Sequence, residues 1–166
     1  MKKLWAPWRA EYIRVACAEK QGHCLFCFLK DSRSDLENLV LYRGKNGFIV
    51  MNRFPYNSGH LMVAPYRHTA NLQDLKDDEA RAIFALIQKC VAVLKKEYQP
   101  QGFNIGANLG AVAGAGVTGH IHFHIVPRWQ GDTNFMPLLT ETKVISEHLV
   151  STYNRLFPHF NHKRRK

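Results

Sequence analysis

A chain of 166 residues with 46% hydrophobic residues is long enough to bury a real core as one domain and too apolar to be disordered. No apolar run approaches a membrane span and Met1–Trp8 lacks the apolar segment of a secretory signal, so the cytoplasm is the default location, with no membrane partner. The net charge of +10 favours polyanions such as nucleotides or RNA without choosing between them, and no nucleic-acid-binding motif accompanies it.

Residues 1–16 form an aromatic N-terminal segment in which Trp5, Trp8 and Tyr12 read as packing or subunit-contact residues, and Pro7 can open a short helix. Residues 30–37 are polar and read as a surface loop. Apolar runs at 38–43 and 47–52, split by Gly44-Lys45-Asn46, read as a β-hairpin. A turn over Arg53–Gly59 leads to a third run, His60–Pro65. Asp77–Tyr98 is predicted as the main helix, because Ala80, Ile83, Phe84, Ile87, Val91 and Leu94 recur at spacings of three and four. Asp77, Asp78 and Glu79 suit the dipole at its start, and Pro100 and Gly102 close it. Cys90 falls near the buried stripe as an inert thiol.

A fourth strand is expected at 103–108, then a Gly- and Ala-rich loop to Gly119, then a fifth strand. Ser146–Phe157 reads as a C-terminal helix with Ser146 as N-cap, and 158–166 as a mobile basic tail ending Lys163-Arg164-Arg165-Lys166. Strands joined by hairpins and kept apart from helices argue a single α+β domain, 1–166, with an antiparallel sheet.

The fifth strand carries Gly119-His120-Ile121-His122-Phe123-His124-Ile125-Val126-Pro127-Arg128-Trp129. Strand side chains alternate, so His120, His122 and His124 project from one face while Ile121, Phe123 and Ile125 enter the core. Neutral imidazole serves as nucleophile, general acid or base, or metal ligand, and clustered titratable groups mark sites.

His-x-His-x-His followed by two apolar residues resembles the triad of the histidine-triad nucleotide hydrolases and transferases. The resemblance runs from about Trp5 to Phe157, and the aromatic opening is similar to the bacterial branch that includes diadenosine tetraphosphate phosphorylases. It implies a five-stranded half-barrel with helices, and a homodimer with a continuous ten-stranded sheet. It also implies that the middle histidine, His122, attacks the α-phosphate of a small-molecule nucleotide and forms a nucleotidyl-histidine, which water or phosphate then resolves. His124 and His60 are candidates for contacting the phosphoryl oxygens or orienting His122. Galactose-1-phosphate uridylyltransferases, distant relatives, have Gln where this chain has His124, which argues against that branch.

Period two places Phe48, Val50 and Asn52 on one strand face and His60, Met62 and Ala64 on the next, so Val50 and Met62 can hold a purine. Asn52 reads either as a turn residue beside Pro55 or as a ribose ligand; the resemblance favours ribose. The loop from Asn108 to Gly119 reads either as a tight connector or as a phosphate cradle of backbone N–H groups. The resemblance implies phosphate contacts from Asn108, Gly114, Gly116 and Thr118, although related phosphorylases often carry Ser where Gly116 aligns.

Cys24-x-x-Cys27 has metal-ligand spacing but supplies only two ligands, and a buried apolar pair or a redox pair are the alternatives. In zinc-containing members of the superfamily the set is completed by a His after a Pro-x-x-His turn and by the first triad histidine, here His68 and His120. That implies a closed structural zinc site on Cys24, Cys27, His68 and His120. The chemistry calls for no catalytic metal on a carboxylate cluster. Two other readings stand beside it: a metallohydrolase with catalytic zinc on the triad, and a non-catalytic nucleotide-binding regulatory protein.

Overall fold

A computed structural model describes residues 24–132 and 147–161. Helix α1 (Leu25–Asp31) precedes strands β1 (Val40–Arg43), β2 (Gly47–Met51) and β3 (Leu61–Pro65). The main helix α2 (Asp77–Tyr98) follows, then β4 (Gly102–Gly106), β5 (Phe123–Arg128) and the C-terminal helix α3 (Leu149–Asn161). The five strands form one antiparallel sheet in the order β1-β2-β3-β5-β4, which with its helices makes the α+β architecture expected.

Strand alternation divides the apolar residues between two faces. Ile49, Met51, Leu61, Val63 and Ile125 pack against Ile83, Ile87, Cys90 and Leu94 of α2 and Leu156 and Phe160 of α3. Phe48, Val50, Met62 and Ala64 face the other way, onto Phe26 and Leu29 of α1. Both faces of β2 and β3 are therefore buried, and both strands are apolar throughout. Gly47 is required where α2 crosses the sheet, since a Cβ there would lie 2.6 Å from the Ala64 carbonyl oxygen and 2.8 Å from Ile83 Cδ1.

Helix α2 has the predicted bounds. The Glu79 carboxylate accepts the Lys76 backbone N–H at its start, and Gln99 in the left-handed region ends it, so the stop lies one residue before Pro100. Its stripe is rotated from the predicted one. Ala80 is exposed and Phe84 is 65% exposed, whereas Leu86 and Val93 are buried. Burial pushes the Cys90 thiol well above the ordinary range, so it is inert as expected.

Several boundaries differ from the sequence reading. A helix not anticipated from the sequence spans Leu25–Asp31 and takes the first two residues of the loop expected at 30–37. β4 ends at Gly106, which leaves Asn108 in the following loop. α3 continues through Pro158 to Asn161, because Phe160 is buried in the core and the Asn161 amide donates to the Leu41 carbonyl at 2.8 Å. The segment expected as a tail therefore begins as helix, and the helix starts at Leu149, not at the expected Ser146, which lies outside the described residues, as do Trp5, Trp8 and Tyr12. Finally, β5 begins at Phe123, so of the three triad histidines only His124 is in the strand. Continued pairing would set Ile121 opposite Pro65, which has no N–H to give. The Ile121 N–H donates instead to the Thr69 carbonyl at 2.7 Å.

Candidate functional site

The short lead-in to β5 gives the three histidines different surroundings. His122 Nδ1 lies 2.9 Å from the His120 carbonyl oxygen. A carbonyl only accepts, so Nδ1 carries the proton and Nε2 keeps its lone pair. The ring is buried and packs against Phe26 of α1, with the centroids 4.6 Å apart and the planes tilted by 33°. That burial holds its pKa below the ordinary imidazole value.

A second tautomer follows from His60, which is 1% exposed. The Tyr56 backbone N–H donates to His60 Nδ1 at 3.1 Å, so His60 carries its own proton on Nε2. His60 Nε2–H then donates to His124 Nδ1 at 3.0 Å. His124 must in turn carry its proton on Nε2. Burial and the neighbouring His122 push the His124 pKa down to about 4, so the ring is neutral near pH 7. One imidazole thus has an available lone pair and its neighbour, 4.9 Å away between ring centroids, has an N–H.

Both rings line a cavity of about 410 Å³ between α1 and the sheet. Val50, Met62, Asn52, Gly114 and Gly116 line it too, so five of the residues assigned to substrate binding come together. The turn reading of Asn52 holds: Oδ1 accepts the Phe54 N–H at 2.9 Å in a local turn, and Nδ2 lies 3.3 Å from His60 Nδ1. Asn108 lines a neighbouring cavity of about 490 Å³ that shares His124 and Tyr56 with the first. Its amide donates to the Gly114 carbonyl at 3.3 Å and so ties the loop back on itself. Thr118 is exposed and lines neither cavity.

The sequence reading missed the cavity's far wall, formed by Leu25, Phe26 and Leu29 of α1. Their spacing of one and three was the available signal, overshadowed by the cysteine pair.

His120 faces away from this cavity chemistry. Its Nε2–H donates to the Pro65 carbonyl at 2.9 Å, which turns the Nδ1 lone pair toward Cys24 Sγ at 3.4 Å and Cys27 Sγ at 3.7 Å. His68 Nδ1 is 3.4 Å from Cys27 Sγ. All four ligand atoms lie within 4.8 Å of one another, and no other group of three or more such residues is found among the described residues. A tetrahedron with zinc–sulfur and zinc–nitrogen bonds of ordinary length has S···N edges of about 3.6 Å. The donor set, the spacing and the hydrogen bond fixing the His120 tautomer all fit zinc. A zinc on all three triad histidines does not fit, since His120 Nδ1 points at the cysteines and His122 Nδ1 at a carbonyl.

The comparisons with known proteins agree with this fold. A HIT domain family model matches residues 33–131. AP-4-A phosphorylase of Mycobacterium tuberculosis is 40% identical over 157 residues, covering 92% of this chain and 80% of that protein. The asymmetrical bis(5'-nucleosyl)-tetraphosphatase of Schizosaccharomyces pombe is 34% identical over 101 residues, covering 61% of this chain and 55% of that protein. A zinc-bound histidine triad family protein from Mycobacterium smegmatis, 24% identical, shares the fold with a TM-score of 0.65 over 82% of this chain and 92% of that one. The chain belongs to the histidine-triad (HIT) family. It is an enzyme of that family's nucleotide hydrolase and transferase class.

Proposed function

We propose that the enzyme cleaves an adenine dinucleoside polyphosphate at an α-phosphate through a nucleotidyl-His122 intermediate, with inorganic phosphate as the acceptor. The observation that carries the reading is the pair of fixed tautomers, a lone pair on His122 Nε2 beside an N–H on His124 Nε2. In the first step His122 Nε2 bonds to the α-phosphorus and the bond to the bridging oxygen breaks. The leaving nucleoside polyphosphate departs with that electron pair, while His124 Nε2–H donates to a phosphoryl oxygen. In the second step a phosphate oxygen bonds to the same phosphorus, the N–P bond breaks and its electron pair returns to Nε2. His60 acts through His124 as a positioning residue. Val50 and Met62 hold the base, Asn52 the ribose, and the loop residues Asn108, Gly114 and Gly116 the phosphates, whereas Thr118, outside both cavities, takes no part. The name of the Mycobacterium tuberculosis relative supports phosphate as acceptor, and the name of the Schizosaccharomyces pombe relative favours water as the second reading.

Incubation with diadenosine tetraphosphate, with and without phosphate, tests the proposal. ADP plus ATP, formed only with phosphate, is the expected result. AMP plus ATP at full rate without phosphate would make the enzyme a hydrolase, and no turnover under either condition would leave a binding protein.

In this proposal a zinc ion is held by Cys24, Cys27, His68 and His120, where it braces the fold and leaves no open position for substrate. The proposal also includes a cytoplasmic location and a homodimer. β4 is the open edge of the sheet beside the site, with Ile105 49% exposed, and a second copy pairing there would cover it. Among the described residues no helix is long and apolar enough to cross a membrane.

Two outcomes follow from the site. Because burial lowers the His122 pKa, the nucleophile remains neutral below the reference value of about 6.5. Adduct formation should therefore hold its rate as the pH falls to that reference value and decline only below it. A rate already halved at or above pH 6.5 would contradict the buried nucleophile. Asn52→Ala should raise KM by about tenfold and lower kcat less, since the ribose is remote from the breaking bond. The substitution also removes the acceptor for the Phe54 N–H, so a thermal melt is recorded alongside. An unchanged KM in a folded variant would leave Asn52 as a turn residue only.

A further inference from the structure

The cavity that the proposed function fills with a base has one polar side chain on its rim whose orientation is fixed from outside. Asn38 stands just before β1 and lines the cavity together with Leu25, Leu29 and Leu39. Its Nδ2 donates to the Ser34 carbonyl at 3.0 Å and to Ser32 Oγ at 2.8 Å. A carbonyl cannot accept from an amide oxygen, so the contact with Ser34 excludes the flipped amide. Both N–H groups are thereby spent on the turn. Oδ1 is left with no hydrogen-bond partner among the described residues, on a side chain that lines the cavity.

The turn that holds this amide is itself held. The Arg43 guanidinium donates to the carbonyls of Leu29, Lys30 and Ser32 and pairs with the Asp35 carboxylate. Leu39, the next residue, sits at φ 59°, a conformation that L side chains other than Asn, Asp and His rarely adopt. It is kept there by the Val40 N–H donating to the Asp35 carbonyl at 2.8 Å and by its own carbonyl accepting the Met51 N–H at 2.9 Å. Such over-determined backbone is how a binding group is pre-organised.

We infer that Asn38 sets the base preference: its Oδ1 accepts a hydrogen bond from the exocyclic 6-amino group of an adenine seated between α1 and the sheet. A 6-oxo purine would instead bring a second acceptor against Oδ1. Asn38 cannot answer by rotating its amide, because both N–H groups are committed. The apolar part of the wall, Leu25, Phe26, Val50 and Met62, accepts any purine, so the discrimination at this end of the cavity rests on this one oxygen.

This inference rests on the reading of the cavity as the base site, and its test separates the two. Binding of AMP and IMP to the unmodified chain is measured by calorimetry, which needs no catalysis. AMP should bind at least about tenfold more tightly than IMP. Asn38→Ala should bring the two affinities to within about threefold of each other, chiefly by weakening AMP. Ser32→Ala, which removes one anchor and leaves the Ser34 contact, should keep a preference for AMP. In parallel, covalent labelling of His122 by diadenosine and diinosine tetraphosphates reports the chemistry. AMP preferred over IMP without any labelling would uphold the role of Asn38 and sink the covalent mechanism. Equal affinities in the unmodified chain, or a preference retained by a folded Asn38→Ala, would overturn the role of Asn38 whatever the labelling shows. Failure of both mononucleotides to bind would overturn it as well, together with the base site.

Discussion

Replacing His122 with Ala is expected to lower kcat by roughly a thousandfold or more while nucleotide binding stays measurable. The His122 lone pair is the only attacking group the proposed mechanism uses. His124 cannot substitute: its Nδ1 accepts from His60, and its Nε2 carries the proton. Most of the cavity wall survives the change, since Val50, Met62, Leu25 and Leu29 come from other elements. AMP should therefore still bind, with the affinity altered by the lost packing of the ring on Phe26. Turnover within tenfold of the unmodified enzyme would exclude His122 as nucleophile.

Removing the proposed zinc has the next largest effect, and it reaches beyond stability. Cys24 is the N-cap of α1 and Cys27 lies in its first turn, so the metal would clamp this helix to the His68 turn and to His120. α1 is also the far wall of the cavity. Cys24→Ser or chelation should thus cost about 3 kcal/mol or more, roughly 6–12 °C in Tm for a chain of this size. Nucleotide affinity should fall at the same time as the wall loosens. His122→Ala should keep its metal, because His122 is not among the four donors. A protein purified without zinc, melting at the same temperature with and without chelator, would remove the metal from the account.

Most of the fold was legible in the sequence because the strongest patterns lie where tertiary context agrees with them. The 38–52 hairpin and the helix at Asp77–Tyr98 carry both periodicity and end signals. The misses have local causes. Phe84 fits the helical period but falls just outside the arc that meets the sheet, and Leu86 takes its place. Pro158 reads as a stop, yet α3 carries it because Phe160 and Asn161 are anchored beyond it. The period-two argument put three histidines on one working face. Pro65 breaks the ladder and lets His120 turn to the cysteines, so the motif is divided between two sites. That division was legible only through the resemblance, since no spacing links Cys24 to His120 across 96 residues. Asn38 was out of reach, because its meaning lies in where its two N–H groups go.

The central claim is a covalent bond between His122 and the α-phosphorus. Its most direct test is rapid quenching of the enzyme during turnover of diadenosine tetraphosphate, into alkali, where a phosphoramidate survives, followed by peptide mass mapping. An added adenylyl group is expected on the peptide containing His122, formed at least as fast as turnover and absent in His122→Ala. Products accumulating at full rate with no adduct, or an adduct placed on another residue, would contradict it.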